Sequence, residues 1–243
     1  MSMLEVARLS KRFGGVTAVD ACSLSLQPGS VTGLIGPNGS GKTTVFNLIT
    51  GFIVKDSGDV RFNGRSIADL GPDRIYALGI GRTFQLARIF PRLTALENML
   101  VPMRRDGLRG LFSRGHRHDE RARAMDMLAM MDIAHVAGLL GGSLSYGQRK
   151  LLELAAVMMV QPQLVLLDEP AGGVNPALVD RISDHIRALN AQGVSFLLVE
   201  HNMPFVMGLC HDVVVLHRGA VLATGTPAEI RANPAVLEAY LGS

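Results

Sequence analysis

Residues 36–44 read GPNGSGKTT and fit the pattern G-x-x-x-x-G-K-[ST], with Gly36, Gly41, Lys42 and Thr43 at its fixed positions. The apolar run 31–35 precedes them, and Val45, Leu48 and Ile49 follow at helical spacing, so the loop joins a buried strand to a helix. Gly39 and Gly41 let the backbone turn without a Cβ in the way, so that successive N–H groups converge on phosphate oxygens. The helix that starts near Lys42 adds its positive end. Lys42 is expected to reach the β- and γ-phosphates of a nucleotide, and the Thr43 hydroxyl to be a ligand of Mg²⁺. A glycine-rich turn with a chance lysine is the rival reading, and the flanking strand and helix speak against it.

A second chemical constellation is LVLLDEP at residues 164–170. Four apolar residues run unbroken into Asp168 and Glu169, which suits a central parallel strand buried on both faces. The two acids then emerge at the carboxyl end of that strand, where open α/β sheets bind their ligands. There Asp168 is placed to hold Mg²⁺ and Glu169 to polarise a water attacking a γ-phosphate. The alternative is a helix beginning Asp-Glu-Pro, with the acids favoured by the helix dipole.

The elements that must position these residues follow from the pattern of the chain. Strands are expected at 3–9 and 16–26, a strand and helix at 31–50 and a glycine-rich hairpin at 58–64. A mostly helical segment runs from 86 to 160, with apolar positions three to four apart in 94–101, 121–131 and 148–160. After the acidic strand come helix 176–192, strand 195–199, helix 203–210, strands 212–216 and 220–224, and two short helices within 227–241. The fold class is therefore α/β, with a β-rich start and an inserted helical part.

The chain has 243 residues, enough for one domain with a large core, and 48% of them are hydrophobic. No run of about 18 uncharged apolar residues occurs, so the chain is not expected to cross a membrane by itself. The N-terminus MSMLEVARLSKRF alternates like a strand and shows no apolar leader, which reads as a cytoplasmic chain. Cys22 and Cys210 lack metal-site spacing and read as buried thiols. The net charge of +3 is dispersed except in residues 104–118, RRDGLRGLFSRGHRH, which reads as a solvated loop rather than a phosphate-binding patch. Met125, Met127, Met130, Met131, Met158 and Met159 fall at helical spacing and read as core filler.

Between the two phosphate-site sequences lies LSYGQRKLLELA, residues 144–155, which resembles the LSGGQ signature helix of ABC-transporter ATPases. The resemblance covers almost the whole chain. It implies a P-loop NTPase of ABC ATPase type with an N-terminal antiparallel β subdomain and an inserted helical subdomain. Residues 1–243 would form a single domain, with 1–86 and 161–243 as nucleotide-binding core and 87–160 as the helical signature subdomain. It further implies that Ser145, Gly147 and Gln148 cap the γ-phosphate of a nucleotide held by Gly36, Pro37, Asn38, Gly39, Ser40, Gly41, Lys42, Thr43 and Thr44 of a second subunit. Phe13 resembles the aromatic that stacks on adenine. Gln85, in GRTFQ, resembles the glutamine that contacts Mg²⁺ and the attacking water, and His201 the switch histidine. Lys42, Gln85, Glu169 and His201 would carry catalysis, while Thr43, Gln85 and Asp168 would hold the metal.

Two positions depart from the family pattern. Tyr146 replaces a glycine of the signature, so its side chain is expected to point away from the phosphate, and Asn175 stands where many relatives carry aspartate. Within the family, GRTFQLARIF, DEPAGGVNP and the ending AYLG most resemble ATPases of branched-chain amino-acid importers. Similar cassettes serve uptake of urea or small amides, or extraction of lipopolysaccharide. The resemblance implies ATP and Mg²⁺ as cofactors and integral membrane permease subunits as partners. A second ATPase, related or identical, would complete the site, and a solute-binding protein would act indirectly. No nucleic acid is expected, and the chain would sit on the cytoplasmic face of the inner membrane.

Overall fold

A computed structural model of the chain describes residues 2–83, 89–103 and 114–241. The strands in chain order are β1 (Leu4–Phe13), β2 (Val16–Leu26), β3 (Val31–Ile35), β4 (Ser57–Phe62), β5 (Arg65–Ser66), β6 (Ile80–Arg82), β7 (Leu164–Asp168), β8 (Ser195–Val199), β9 (Asp212–His217) and β10 (Ala220–Gly225). The helices are α1 (Lys42–Ile49), α2 (Pro72–Ala77), α3 (Ala95–Leu100), α4 (Arg114–Met130), α5 (Tyr146–Met158), α6 (Pro176–Ala191), α7 (Met203–Leu209), α8 (Pro227–Ala232) and α9 (Pro234–Leu241).

Strands β2-β1-β4-β5 make an antiparallel sheet, and β10-β9-β3-β8-β7-β6 make a mixed one in which only the β9–β10 pair is antiparallel. Period-two alternation sorts the buried strand residues of the mixed sheet onto two faces. Leu34, Leu166, Leu197, Val199, Val214 and Leu216 pack with Phe46 and Ile49 of α1 and with the antiparallel sheet. Ile35, Val165, Leu167, Phe196, Leu198 and Val215 pack against the helical side, which includes Leu151 of α5 and Ile186 of α6. Because both faces are covered, β3, β7 and β8 are buried along their whole length.

The expected elements form with small shifts at their ends. β1 runs on to Phe13, past irregularities in its pairing with β2 and a left-handed Arg8 (φ 47°). The helix α2 and the three-residue edge strand β6 were not foreseen. Both are too short to show a period, although Pro72 at the start of α2 is a helix-opening residue. Met131, Met158 and Met159 are core, whereas Met125 and Met130 are more than a third exposed, so the methionines are only partly filler. Both cysteines are buried and free. Among the described residues no helix is long and apolar enough to cross a membrane. Of the basic stretch 104–118, residues 104–113 lie outside the described residues.

Candidate functional site

The parallel register sets the site. Leu34 of β3 pairs with Val199 of β8, and Asp168 of β7 pairs with the same Val199. The chain therefore leaves all three strands at one edge, delivering Gly36, Glu169 and His201 side by side.

Gly36 has no room for a side chain, since a Cβ there would stand 2.1 Å from the Leu216 carbonyl oxygen. Gly41 is left-handed (φ 102°) and a Cβ would stand 2.4 Å from the Ala18 carbonyl oxygen. Gly39 is also left-handed (φ 77°), but nothing lies within 4 Å of its Cβ position, so that side of the loop is open. The turn before β10 buttresses the loop through a 3.0 Å bond from Gly219 N–H to the Ser40 carbonyl. No side chain caps α1 and no acid sits in its first turn, which leaves its N-terminal N–H groups for an anion. Buried Lys42 folds over the loop, its ammonium donating to the carbonyls of Gly36 (2.8 Å) and Pro37 (2.9 Å). Burial pushes the Lys42 amine below its usual range, and the charge of Glu169 pulls it back. Ser40 is buried, Thr44 and Pro37 are half-buried, and Asn38 and Thr43 are exposed. A cradle of this kind suits phosphates.

The strand β7 continues through Asp168, which rules out the helix-start reading of Asp-Glu-Pro. Arg82 of β6, a residue the sequence did not single out, reaches Asp168 Oδ2 at 3.1 Å, and the same guanidinium donates to Asn47 Oδ1 (2.7 Å) and Thr50 Oγ1 (2.9 Å) of α1 and its end. Burial lifts the Asp168 carboxyl above the usual range against the pull of Arg82. Since Mg²⁺ is held by one or two carboxylates plus substrate phosphates, Asp168 with exposed Thr43 forms a fitting donor set. Gln85, the third expected metal contact, lies outside the described residues.

Glu169 Oε1 and His201 Nε2 are 2.9 Å apart. With the carboxylate accepting, Nε2 carries the hydrogen. His201 is exposed and Glu169 half-buried, and the Glu169 carboxylate lies near enough to the phosphate loop for its charge to act on Lys42. Behind it lies Glu200, 2% exposed, whose carboxylate accepts from Ala171 N–H (2.6 Å), His201 N–H (2.9 Å) and Asn202 N–H (3.1 Å). Glu200 thereby ties the turn after β7 to the turn after β8. Its sign in the sequence was an acid ending an apolar strand, the same sign that marked Asp168.

The signature residues open α5. Ser145 Oγ accepts from Gln148 N–H (3.3 Å) and Gln148 Oε1 from Ser145 N–H (2.9 Å), a closed capping box. Ser145 stays exposed. Gly147 is packed on α6, where a Cβ would stand 2.3 Å from Leu178 Cδ2. Tyr146 turns back onto its own chain, its hydroxyl donating to the Gly172 carbonyl at 3.3 Å. Asn175 caps α6 by accepting from Leu178 N–H at 2.9 Å. Phe13 ends β1 with 47% of its surface exposed and Lys11 over its ring, so it is no core phenylalanine. Tyr240 of α9, also unforeseen, accepts a hydrogen bond from Gly36 N–H that counters the upward push of burial on its hydroxyl.

Comparison with known proteins bears on the whole chain. Residues 19–172 match the ABC transporter family, and residues 220–243 match a family described as branched-chain amino acid ATP-binding cassette transporter. The high-affinity branched-chain amino acid transport ATP-binding protein BraF of Pseudomonas aeruginosa is 42% identical, over 99% of this chain and 98% of its own. The corresponding LivG protein of Escherichia coli is 39% identical over the same shares. Among solved structures, the ADP conformation of MJ1267, an ATP-binding cassette of an ABC transporter, superimposes with a TM-score of 0.89 at 34% identity, covering both chains entirely.

Proposed function

Because the chain belongs to the ABC transporter family, as one of its ATP-hydrolysing ATP-binding subunits, we propose that it drives an importer of branched-chain amino acids. The observation that carries the chemistry is the convergence of Lys42, Asp168, Glu169 and His201 at the carboxyl ends of three adjacent parallel strands. The substrate reading rests on BraF and LivG and on the match of residues 220–243.

In this reading the phosphates of ATP lie on N–H groups of the loop at 38–44, and Lys42 leaves its loop carbonyls to meet the β- and γ-phosphates. Glu169 accepts a proton from the attacking water, and His201 holds the Glu169 carboxylate in place and faces the γ-phosphate. Phe13 stacks on the adenine. Thr43, Asp168 and Gln85 would hold Mg²⁺, which would supply positive charge to neutralise the phosphates. Catalysis is then mostly positioning and charge stabilisation. Ser145, Gly147 and Gln148 present the start of α5 to the nucleotide of a second cassette, so two subunits share each site. Residues 1–86 and 161–243 would form the nucleotide core and 87–160 the helical part; among the described residues of 95–158 the named elements are helices. A groove of about 270 Å³, lined by Tyr76, Ile89, Phe90 and Val101 and with Phe90 53% exposed, is the docking place for a membrane permease. That partner would hold the chain on the cytoplasmic face.

Glu169→Gln tests the chemistry. It should keep ATP affinity, lose turnover by about 10²–10⁴-fold and form a MgATP-dependent dimer that Ser145→Arg abolishes. Near-normal turnover would remove Glu169 from the base role. For the substrate, deletion of this chain in its source organism should lower uptake of labelled leucine, isoleucine and valine, with rescue by the wild type and not by Glu169→Gln. Unchanged uptake would refute the import assignment.

A further inference from the structure

Glu169 is left-handed, with φ at 50°. For a residue with a Cβ this conformation costs roughly 1–2 kcal/mol, so something must hold it. Three hydrogen bonds come from the strand ends themselves: Glu169 N–H to the Val199 carbonyl (2.9 Å), Gly172 N–H to the Glu169 carbonyl (3.0 Å) and Ala171 N–H to Glu200 (2.6 Å). A further hold comes from α5, in a different part of the chain. Lys150 is 8% exposed, and its ammonium donates to the Glu169 carbonyl and, at 3.4 Å, to the Pro170 carbonyl.

The placement is specific in two ways. Four carboxylates, of Asp168, Glu169, Glu153 and Glu200, lie near enough to act on the Lys150 charge, yet the ammonium donates to the backbone carbonyls of Glu169 and Pro170. One helical turn before Lys150, Tyr146 lies on the same face of α5 and its hydroxyl holds the Gly172 carbonyl. Its ring stands 5.6 Å from the Lys150 ammonium. The signature helix thus grips the turn after β7 at three backbone carbonyls, those of Glu169, Pro170 and Gly172.

We infer that Lys150 is a positioning residue for ATP hydrolysis: it anchors the Glu169 carbonyl and so keeps Glu169 in the left-handed conformation that aims its carboxylate at His201 and the phosphate crevice. Leaving the left-handed well would swing the carbonyl away from the ammonium and the carboxylate away from His201. Tyr146 supports the same turn from the same helix. The geometry of Glu169 in this chain is therefore tied to the position of α5. This inference rests on Glu169 acting as base.

The test uses the full chain with MgATP and the variants Lys150→Met, Lys150→Arg, Tyr146→Phe and Glu169→Gln. Lys150→Met should lower kcat by about 10- to 100-fold while affinity for a fluorescent ATP analogue stays within about twofold. Lys150→Arg, which can still donate to the two carbonyls, should recover most of kcat. Tyr146→Phe deletes one hydroxyl and no buried charge, and should lower kcat by a few-fold without moving Tm. Added to Glu169→Gln, Lys150→Met should lower turnover no further, since both act through one carboxylate. The inference is overturned if Lys150→Met keeps kcat within about twofold, if its loss adds fully to that of Glu169→Gln, or if affinity and Tm fall together with kcat and neither Lys150→Arg nor Tyr146→Phe separates them. Normal turnover in Glu169→Gln would instead refute the base role, whatever Lys150 does.

Discussion

Arg82 Nη2 lies 3.1 Å from Asp168 Oδ2, with each side chain only 8% exposed. The acid at the end of β7 is thus held by the residue that ends β6 and leads toward Gln85, and the same guanidinium reaches α1 of the phosphate loop. Removing one member of a buried pair leaves the other charge without its partner. Arg82→Met should therefore destabilise the protein by about 3–5 kcal/mol in urea unfolding. Arg82→Lys keeps the charge and gives up the planar fork, and should cost less, about 1.5–3 kcal/mol.

The phosphate loop separates two kinds of glycine. At Gly36 an added Cβ meets backbone oxygen at 2.1 Å, and backbone cannot swing aside as a side chain can. Gly36→Ala should abolish binding of a fluorescent ATP analogue. At Gly39 the space is open and only the left-handed backbone resists, so Gly39→Ala should cost roughly 1–2 kcal/mol and leave binding measurable.

Both thiols should be inert in the folded chain. Burial pushes Cys22 up to about 11 and Cys210 up to about 12, the latter with help from Asp212 and Glu200. A disulfide reagent at about pH 8 should titrate no thiol before unfolding and two in denaturant.

His185 on α6 gives a pH dependence with a defined sign. Burial lowers its pKa below the ordinary 6.5, opposed by Asp132, whose Oδ2 is 3.7 Å away, while Arg181 adds to the lowering and Asp184 opposes it. The folded state favours the neutral ring. The stability this contributes is fully present above 6.5 and is lost as pH falls through the folded value. The urea midpoint should drop between about pH 7.5 and 5.5, and His185→Gln, which cannot take the proton, should flatten that drop.

The residues that announce themselves in the sequence are those whose type and spacing act locally. The glycines and lysine of 36–44, the acids ending β7 and the capping box at Ser145 and Gln148 are each set by neighbours within a few positions, and the α/β fold with its helical insert follows from periodicity. Arg82, Lys150 and Tyr240 escaped notice because their partners are distant in sequence. Arg82 meets Asn47 and Asp168, and Lys150 meets the Glu169 carbonyl, a backbone atom with no side-chain signature. The bulk of Tyr146 is plain in the sequence, but its bond to Gly172 depends on how α5 lies over the turn. Short elements such as α2 and β6 owe their form to packing.

The strand order also governs how the protein comes into being. β3 carries the phosphate loop, yet its two neighbours are β8 and β9, made from residues 195–217. Pairing this strand requires closing a loop over most of the chain, an entropic cost met before any contact repays it. During synthesis the apolar run 31–35 waits without its sheet partners until residues 195–217 have followed it out of the ribosome. A chain truncated before β9 leaves one edge of β3 open and exposed to aggregation. The nucleotide cradle is thus made well before the strands that enclose it.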